Sequence, residues 1–250
     1  MELQNSTALV TGGAVRLGRA IALELAEAGT NVCIHYGHSE DEARSTCEEI
    51  SRRGGRAEAV QCDFGAEAPD WSDFLDRVEE AIGPVDILVN NAAIFEAETL
   101  ADLTAERWQR HLDINLRSPL FVTQQFAKRL GARAGHVLNI VDWRGLNPVP
   151  GHLSYTIAKS GLAAATRILA QELGPRVRVN GIAPGAILPP PGGDEATFEA
   201  RGRLNPLNKT GAASDIVGAA LYLLQSEFTT GEILHVTGGE QLVVHSSMQE

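Results

Sequence analysis

The sequence predicts an α/β fold: one doubly wound sheet of about seven mainly parallel strands, with helices on both faces. Three observations predict it. Short apolar runs alternate along the chain with segments of helical spacing, a rhythm that implies crossover connections and a sheet covered on both sides. A glycine-bearing turn, "TGGAVRLG", joins the first apolar run to the first helical segment. The 250 residues are 44% apolar but only 5% aromatic, which suits a single aliphatic core. Taken in order, "TALVT" is the first strand, and "RLGRAIALELAEAG" is a helix with Leu17, Ile21 and Leu25 on one face. "NVCIHY" is the second strand, "SEDEARSTCEEISRRG" a polar helix ending at glycine, and "RAEAVQCDF" the third strand. "PDWSDFLDRVEEAIG" is a helix with Pro69 near its start and Gly83 past its end. "VDILVNNAA" is the fourth strand, followed by a long helical region from about Ala101 to Leu130. "GHVLNIV" is the fifth strand, Leu153 to Leu173 a long helix and "RVRVNGIAP" the sixth strand. Ala213 to Leu224 is a helix and "GEILHV" the seventh strand. Residues 1–250 thus read as a single domain. Ile187 to Lys209, with three consecutive prolines, breaks the rhythm just after the sixth strand, at the edge where such sheets bind ligands. A substrate lid at 187–209 is expected there, set against a plain surface excursion.

The net charge of −11 argues against nucleic-acid binding, which needs a positive surface, but not against a small anionic ligand. Cys33, Cys47 and Cys62 are irregularly spaced and form no metal-ligand pattern, so no metal is expected. Cys33 and Cys62 lie in strand-like runs and read as small core residues. No segment reaches the length of a membrane span, and "MELQNSTALV" lacks a basic start followed by an apolar run; a cytoplasmic protein is expected.

The turn from Thr11 to Gly18 places glycines between a strand and a helix, where a backbone can approach a pyrophosphate at the helix N-terminus. Arg16 adds a cation to that turn. At the end of the second strand an acid would bind a ribose 2′-hydroxyl and repel a 2′-phosphate. Here the strand ends "HYGHS", with no acid before Glu40. Arg16, His35, His38 and Ser39 could gather round a 2′-phosphate, so the expected cofactor is NADPH. Ser39 has a competing role, because Ser39-x-x-Glu42 is a capping box for the next helix.

In "VDWRGLNPVPGHLSYTIAK", Tyr155 and Lys159 stand at i and i+4 on one helical face, and Asp142 precedes the tyrosine by 13 residues. A phenol beside an ammonium is a candidate proton donor, because positive charge favours the phenolate. An ionised aspartate cannot donate a hydrogen bond to a developing oxyanion, and its charge opposes one. It can accept from ring N–H or amino groups, and can pass a proton through water if its pKa is raised. The acid therefore suits reduction of a heterocyclic C=N better than simple alcohol oxidation.

With these residues in view, the chain resembles a short-chain dehydrogenase/reductase over nearly its whole length. The motifs are the Thr11–Gly18 turn, "CDF" with Asp63, "NNAA" at Asn90–Ala93, "DINL" with Asn115, Tyr155-x-x-x-Lys159 and "PG" at Pro184–Gly185. The resemblance implies that Asp63 and Phe64 flank the adenine, that Asn90 and its neighbours support the fourth strand's edge, and that Asn115 holds a water in a proton relay. It implies that Lys159 binds the nicotinamide ribose and that Tyr155 is the catalytic acid. The cofactor contacts implied are Gly12, Arg16, Leu17 and Gly18 in the first turn, Tyr36 beside His35, Asn91 and Ala92 after the fourth strand, and Pro184, Gly185 and Ile187 after the sixth. Arg16 replaces the family's usual middle glycine and Asp142 its usual serine. Both replacements are similar to those of pteridine reductases and bacterial dihydromonapterin reductases. Phe95 matches a phenylalanine that stacks on the pterin in those enzymes, whereas Ala93 stands where they often carry a serine. The expected activity is NADPH-dependent reduction of a pterin or dihydropterin, with Asp142, Tyr155, Lys159 and Asn115 catalytic and Phe95, Asp142 and Tyr155 against the substrate. The alternatives are a reductase of another carbonyl or imine, and a dinucleotide-binding regulator without turnover. The helix "YTIAKSGLAAATRILAQEL" is small and apolar round much of its surface, which suits burial against a partner; the resemblance adds a homotetramer.

Overall fold

The computed structural model describes residues 2–190 and 192–243, with the side chain of Arg201 excepted. Seven strands, β1 (Thr7–Val10), β2 (Asn31–Tyr36), β3 (Ala57–Gln61), β4 (Ile87–Asn90), β5 (Gly135–Ile140), β6 (Val177–Pro184) and β7 (Ile233–Val236), form one parallel sheet in the order β3-β2-β1-β4-β5-β6-β7. The chain winds outward from β1 to β3, then returns to lay β4 against the other side of β1, with Ala8 facing both Val32 and Ile87. That reversal opens a crevice at the carboxyl ends of β1 and β4, where ligands bind in doubly wound sheets.

The helices are α1 (Arg16–Glu27), α2 (Glu40–Arg52), α3 (Trp71–Ile82), α4 (Ala105–Leu112), α5 (Ser118–Leu130), α6 (Trp143–Leu146), α7 (Leu153–Leu173), α8 (Glu195–Gly202) and α9 (Ala213–Gln225). Successive strand residues point to opposite faces, so β1 feeds two cores. Val10 packs with Ile21, Leu25, Ile216 and Leu223 under α1 and α9. Leu9 packs with Phe74, Val78, Val122 and Phe126 under α3 and α5. Cys33 and Cys62 are buried in the second core, as core residues should be.

Two local expectations are corrected. The helical region from Ala101 to Leu130 is two helices, because Thr104 caps Arg107 N at 3.2 Å and starts α4 there. A π-helical turn at Asp113–Arg117 then separates α4 from α5, with the Ser118 hydroxyl donating to Asp113 O at 2.7 Å. The Ser39 capping box does not form: Ser39 stands at the N-cap of α2, but its side chain bonds no backbone N–H there. The short α6, next to Asp142, had no periodic signal because it is a single turn. Segment 187–209 contains α8 and reaches from the first turn, where the Arg16 guanidinium donates to Pro189 O at 2.6 Å, to the turn after β7, where Leu207 N donates to Gly238 O. No helix among the described residues is long and apolar enough to cross a membrane.

Candidate active site

The turn after β1 is tied to β4 by side chains. The Asn91 amide donates to Thr11 O at 2.9 Å and Gly12 O at 3.1 Å, and Thr11 Oγ1 accepts from Asn91 N and Ala92 N. Gly18 is forced by this closeness, since a Cβ there would lie 2.2 Å from Gly12 O and 2.5 Å from Asn91 Nδ2. Asn91 thus supports the turn. Leu17 packs partly buried against the first core. The N-terminus of α1 carries no acid in its first turn and no side-chain cap, so its N–H groups and the exposed Arg16 form a donor set that fits an anionic cofactor. A cavity of about 390 Å³ beside it is lined by Ala14, Val15, Arg16, Arg19, Asp41, Glu42 and Ser45. Arg19 and Ser45 were missed from sequence, and the two acids were not expected on that wall.

His35 is a correction. It is buried, Gly12 N donates to its Nδ1 at 3.1 Å, and its Nε2 bonds Cys62 O at 2.9 Å. Both ring nitrogens are occupied by backbone, and burial pushes its pKa down to about 4, so it is a neutral brace for the turn and no phosphate ligand. Phe64 stacks on it at 3.9 Å with its side chain buried, so an adenine could meet only the exposed Asp63 and the backbone there. His38 is exposed and Ser39 and Tyr36 are half-buried at the end of β2. Gly185, following Pro184, donates its N–H to Val236 O at 3.0 Å, while the Ile187 side chain is buried in the first core, which leaves only its backbone to meet a cofactor.

The catalytic candidates converge at the ends of β4 and β5. The Tyr155 hydroxyl donates to Asp142 Oδ2 at 2.9 Å, and Lys159 Nζ donates to Ile140 O at 2.6 Å. α6 lies close on α7: a Cβ at Gly145 would meet the Lys159 carbonyl carbon at 2.8 Å. Asn115 is buried; its Oδ1 accepts from Ile94 N at 3.0 Å and its Nδ2 donates to Ile94 O at 3.1 Å. Its side chain therefore anchors the loop that carries Phe95. A buried chain runs beneath, with Asn90 Nδ2 donating to Thr123 Oγ1 and Asn139 Oδ1, and Asn139 Nδ2 to Thr166 Oγ1.

The electrostatics correct one expectation. Burial, then the charge of Asp142 and its hydrogen bond, push the Tyr155 phenol well above its ordinary pKa; the cation opposing them is Arg144, not Lys159. Lys159, whose Nζ lies 5.8 Å from the tyrosine ring centroid, is itself lowered to about 8 by burial, with Asp142 pulling the other way.

Sequence reasoning missed three residues of this site. Arg144 is buried with its Nη1 3.8 Å from Asp142 Oδ1 and its guanidinium carbon 5.4 Å from the Phe95 ring centroid. His152 stacks on Phe95 at 4.0 Å, and its Nδ1 bonds Glu96 O at 3.0 Å. Glu98, buried, accepts from Ser154 N at 2.7 Å and so caps the start of α7, which has no side-chain cap at its own N-cap residue. The only signal for Arg144 was its place two residues after Asp142, and the other two are aligned only by tertiary contact.

A family model described as enoyl-(acyl carrier protein) reductase matches residues 13–241. The 3-oxoacyl-[acyl-carrier-protein] reductase FabG of Staphylococcus epidermidis is 32% identical over 246 residues, which cover 94% of this chain and 98% of the relative. A short-chain type dehydrogenase/reductase of Picea abies is 31% identical over 252 residues, covering 95% and 93%. Among solved structures, FolM alternative dihydrofolate reductase 1 from Brucella canis, complexed with NADP, superposes with a TM-score of 0.93 at 34% identity, covering 100% of this chain and 99% of that one. The Brucella suis protein of the same name, also in complex with NADP, gives a TM-score of 0.93 at 35% identity, covering 99% of each. With the sheet order, the glycine turn and the Tyr155–Lys159 face in place, these matches establish that the chain belongs to the short-chain dehydrogenase/reductase family.

Proposed function

We propose that the protein is an NADPH-dependent reductase of a pterin or dihydropterin ring C=N. The observation that carries the reading is the Asp142 carboxylate facing the Tyr155 hydroxyl at 2.9 Å. A carboxylate there opposes an oxyanion but accepts N–H groups, which a pterin ring presents. The NADP complexes of the FolM proteins, 34% and 35% identical, support the same cofactor and substrate class. The α1 N-terminus and Arg16 would hold the cofactor phosphates, with Gly12 letting the turn approach them closely, and Lys159 the nicotinamide ribose. Bound NADPH supplies a hydride to the ring carbon. Tyr155 holds the proton destined for the ring nitrogen, Asp142 orients the heterocycle through its N–H groups, and Phe95, 39% exposed, forms the wall against which the flat ring rests. Ile187 to Lys209 would close over it. Ile157 and Ile168, exposed on α7, are consistent with a homo-oligomer in which that helix meets a partner.

The 32% identity to FabG favours a second reading, reduction of a 3-oxoacyl thioester. NADPH oxidation measured with a dihydropterin and with an acetoacetyl thioester separates the two. The pterin reading expects the dihydropterin to be turned over with the larger kcat/KM; turnover of the thioester alone overturns it.

A further inference from the structure

The guanidinium of Arg144 lies between two aromatic rings and a carboxylate. Its central carbon is 5.4 Å from the Phe95 ring centroid and 5.1 Å from that of Trp143, which is itself buried. Its side chain is only 9% exposed, so the cation has lost most of its water and is held by π faces and by Asp142. Asp142 in turn has its two oxygens divided. Oδ1 accepts from Arg144 N at 2.8 Å and lies 3.8 Å from Nη1, while Oδ2 accepts from the Tyr155 hydroxyl. One residue therefore engages Oδ1 twice and leaves Oδ2 to face the phenol. The same guanidinium spans to the ring that forms the wall of the site.

We propose that Arg144 is a positioning residue that acts through Asp142, fixing which carboxylate oxygen faces Tyr155 and locking that carboxylate in register with Phe95. The inference rests on the reading that Asp142 and Tyr155 face the substrate. Arg144 adds something a backbone N–H alone cannot: a full charge whose field also opposes the effect of Asp142 on the phenol.

A double-mutant cycle tests it, because a residue acting through Asp142 loses its effect when Asp142 is gone, whereas a merely structural residue costs the same in both backgrounds. Arg144→Met and Arg144→Lys are made in the parent and in the Asp142→Ser background. Each is assayed in single turnover with NADPH on both a dihydropterin and an acetoacetyl thioester, with NADPH affinity and thermal melting as controls. Arg144→Met is expected to slow reduction roughly tenfold in the parent and less than twofold in the Asp142→Ser background. Arg144→Lys, which keeps the charge, is expected to recover most of the loss. Equal losses in the two backgrounds, or no loss in the parent, overturn the proposal. If Arg144→Met does not fold, Arg144→Gln, which also removes the charge, is taken through the same cycle: a loss confined to the parent supports the proposal, and an equal loss or none overturns it. The coupling is read on whichever substrate is reduced, so failure of the pterin reading shows separately, as turnover of the thioester alone.

Discussion

Asp142 accepts the hydroxyl of Tyr155 at 2.9 Å, which places an anion against the group expected to deliver a proton. Burial first, and then that anion, raise the phenol's pKa, so Tyr155 stays protonated and ready to donate across the neutral range. Asp142→Asn removes that charge and keeps the shape. The phenol pKa is then expected to fall, and the basic limb of kcat/KM against pH, above which the donor is deprotonated, should move to lower pH. A limb that stays in place would show that Asp142 does not govern the donor.

Asp142→Ser is expected to cut dihydropterin reduction roughly tenfold or more, since a charge-assisted hydrogen bond is worth about 1.5–3 kcal/mol. Reduction of an activated ketone should be unchanged or faster, because the hydroxyl can donate to the oxyanion. Both rates are measured at saturating NADPH.

Tyr155→Phe removes one hydroxyl from a buried ring. Turnover should fall roughly 10²-fold, as for loss of a general acid, with NADPH affinity unchanged by fluorescence titration. Near-full activity would place the proton donor elsewhere.

Arg16 occupies a left-handed backbone conformation, φ 54°, that costs a side-chain-bearing residue roughly 1–2 kcal/mol. Arg16→Gly relieves that cost while losing the bond to Pro189 O. The expected result is a melting temperature within a few degrees of the parent and a tenfold or greater loss of preference for NADPH over NADH. Equal affinities for the two cofactors in the unmutated protein would remove Arg16 as the discriminator.

Two buried histidines make stability pH-dependent. Burial holds His35 at about 4 and His136 at about 3, each below the ordinary 6.5. As pH falls below 6.5 the unfolded chain binds protons that the folded one refuses, so stability drops by about 1.4 kcal/mol per pH unit per histidine, down to about 4 for His35 and about 3 for His136. His136→Asn should lessen the slope of urea-unfolding free energy between pH 6 and 4.5 by about 1.4 kcal/mol per pH unit. A slope identical to the parent's would mean that His136 does not titrate as its burial dictates.

Period and punctuation made the fold legible. Strands such as "VDILVNN" are apolar without alternation because both faces are covered, and "LSYTIAKSGLAAATRILAQEL" holds no proline from Leu153 to Leu173. The break at Asp113–Arg117 was hidden because "DINLR" keeps helical spacing while the backbone widens. In the site, Tyr155, Lys159 and Asp142 could be named because their spacing carries chemistry. His35 misled because a histidine at a strand end looks the same whether it faces solvent or turns inward onto Phe64. Arg144, His152 and Glu98 were hidden because their roles exist only once α6, α7 and the loop from Ile94 to Glu98 meet.

The return of the chain to β1 has a consequence during synthesis. Ala8 cannot meet Ile87 until about 80 further residues have left the ribosome, roughly 4–16 s at ordinary elongation rates. Through that interval β1, β2 and β3 can pair among themselves, but the inner side of β1 is an open row of N–H and C=O groups. A translational pause before Asn90 would prolong that exposure, and the nascent chain would then depend on chaperones to keep a strand meant for the middle of the sheet from pairing with a stranger.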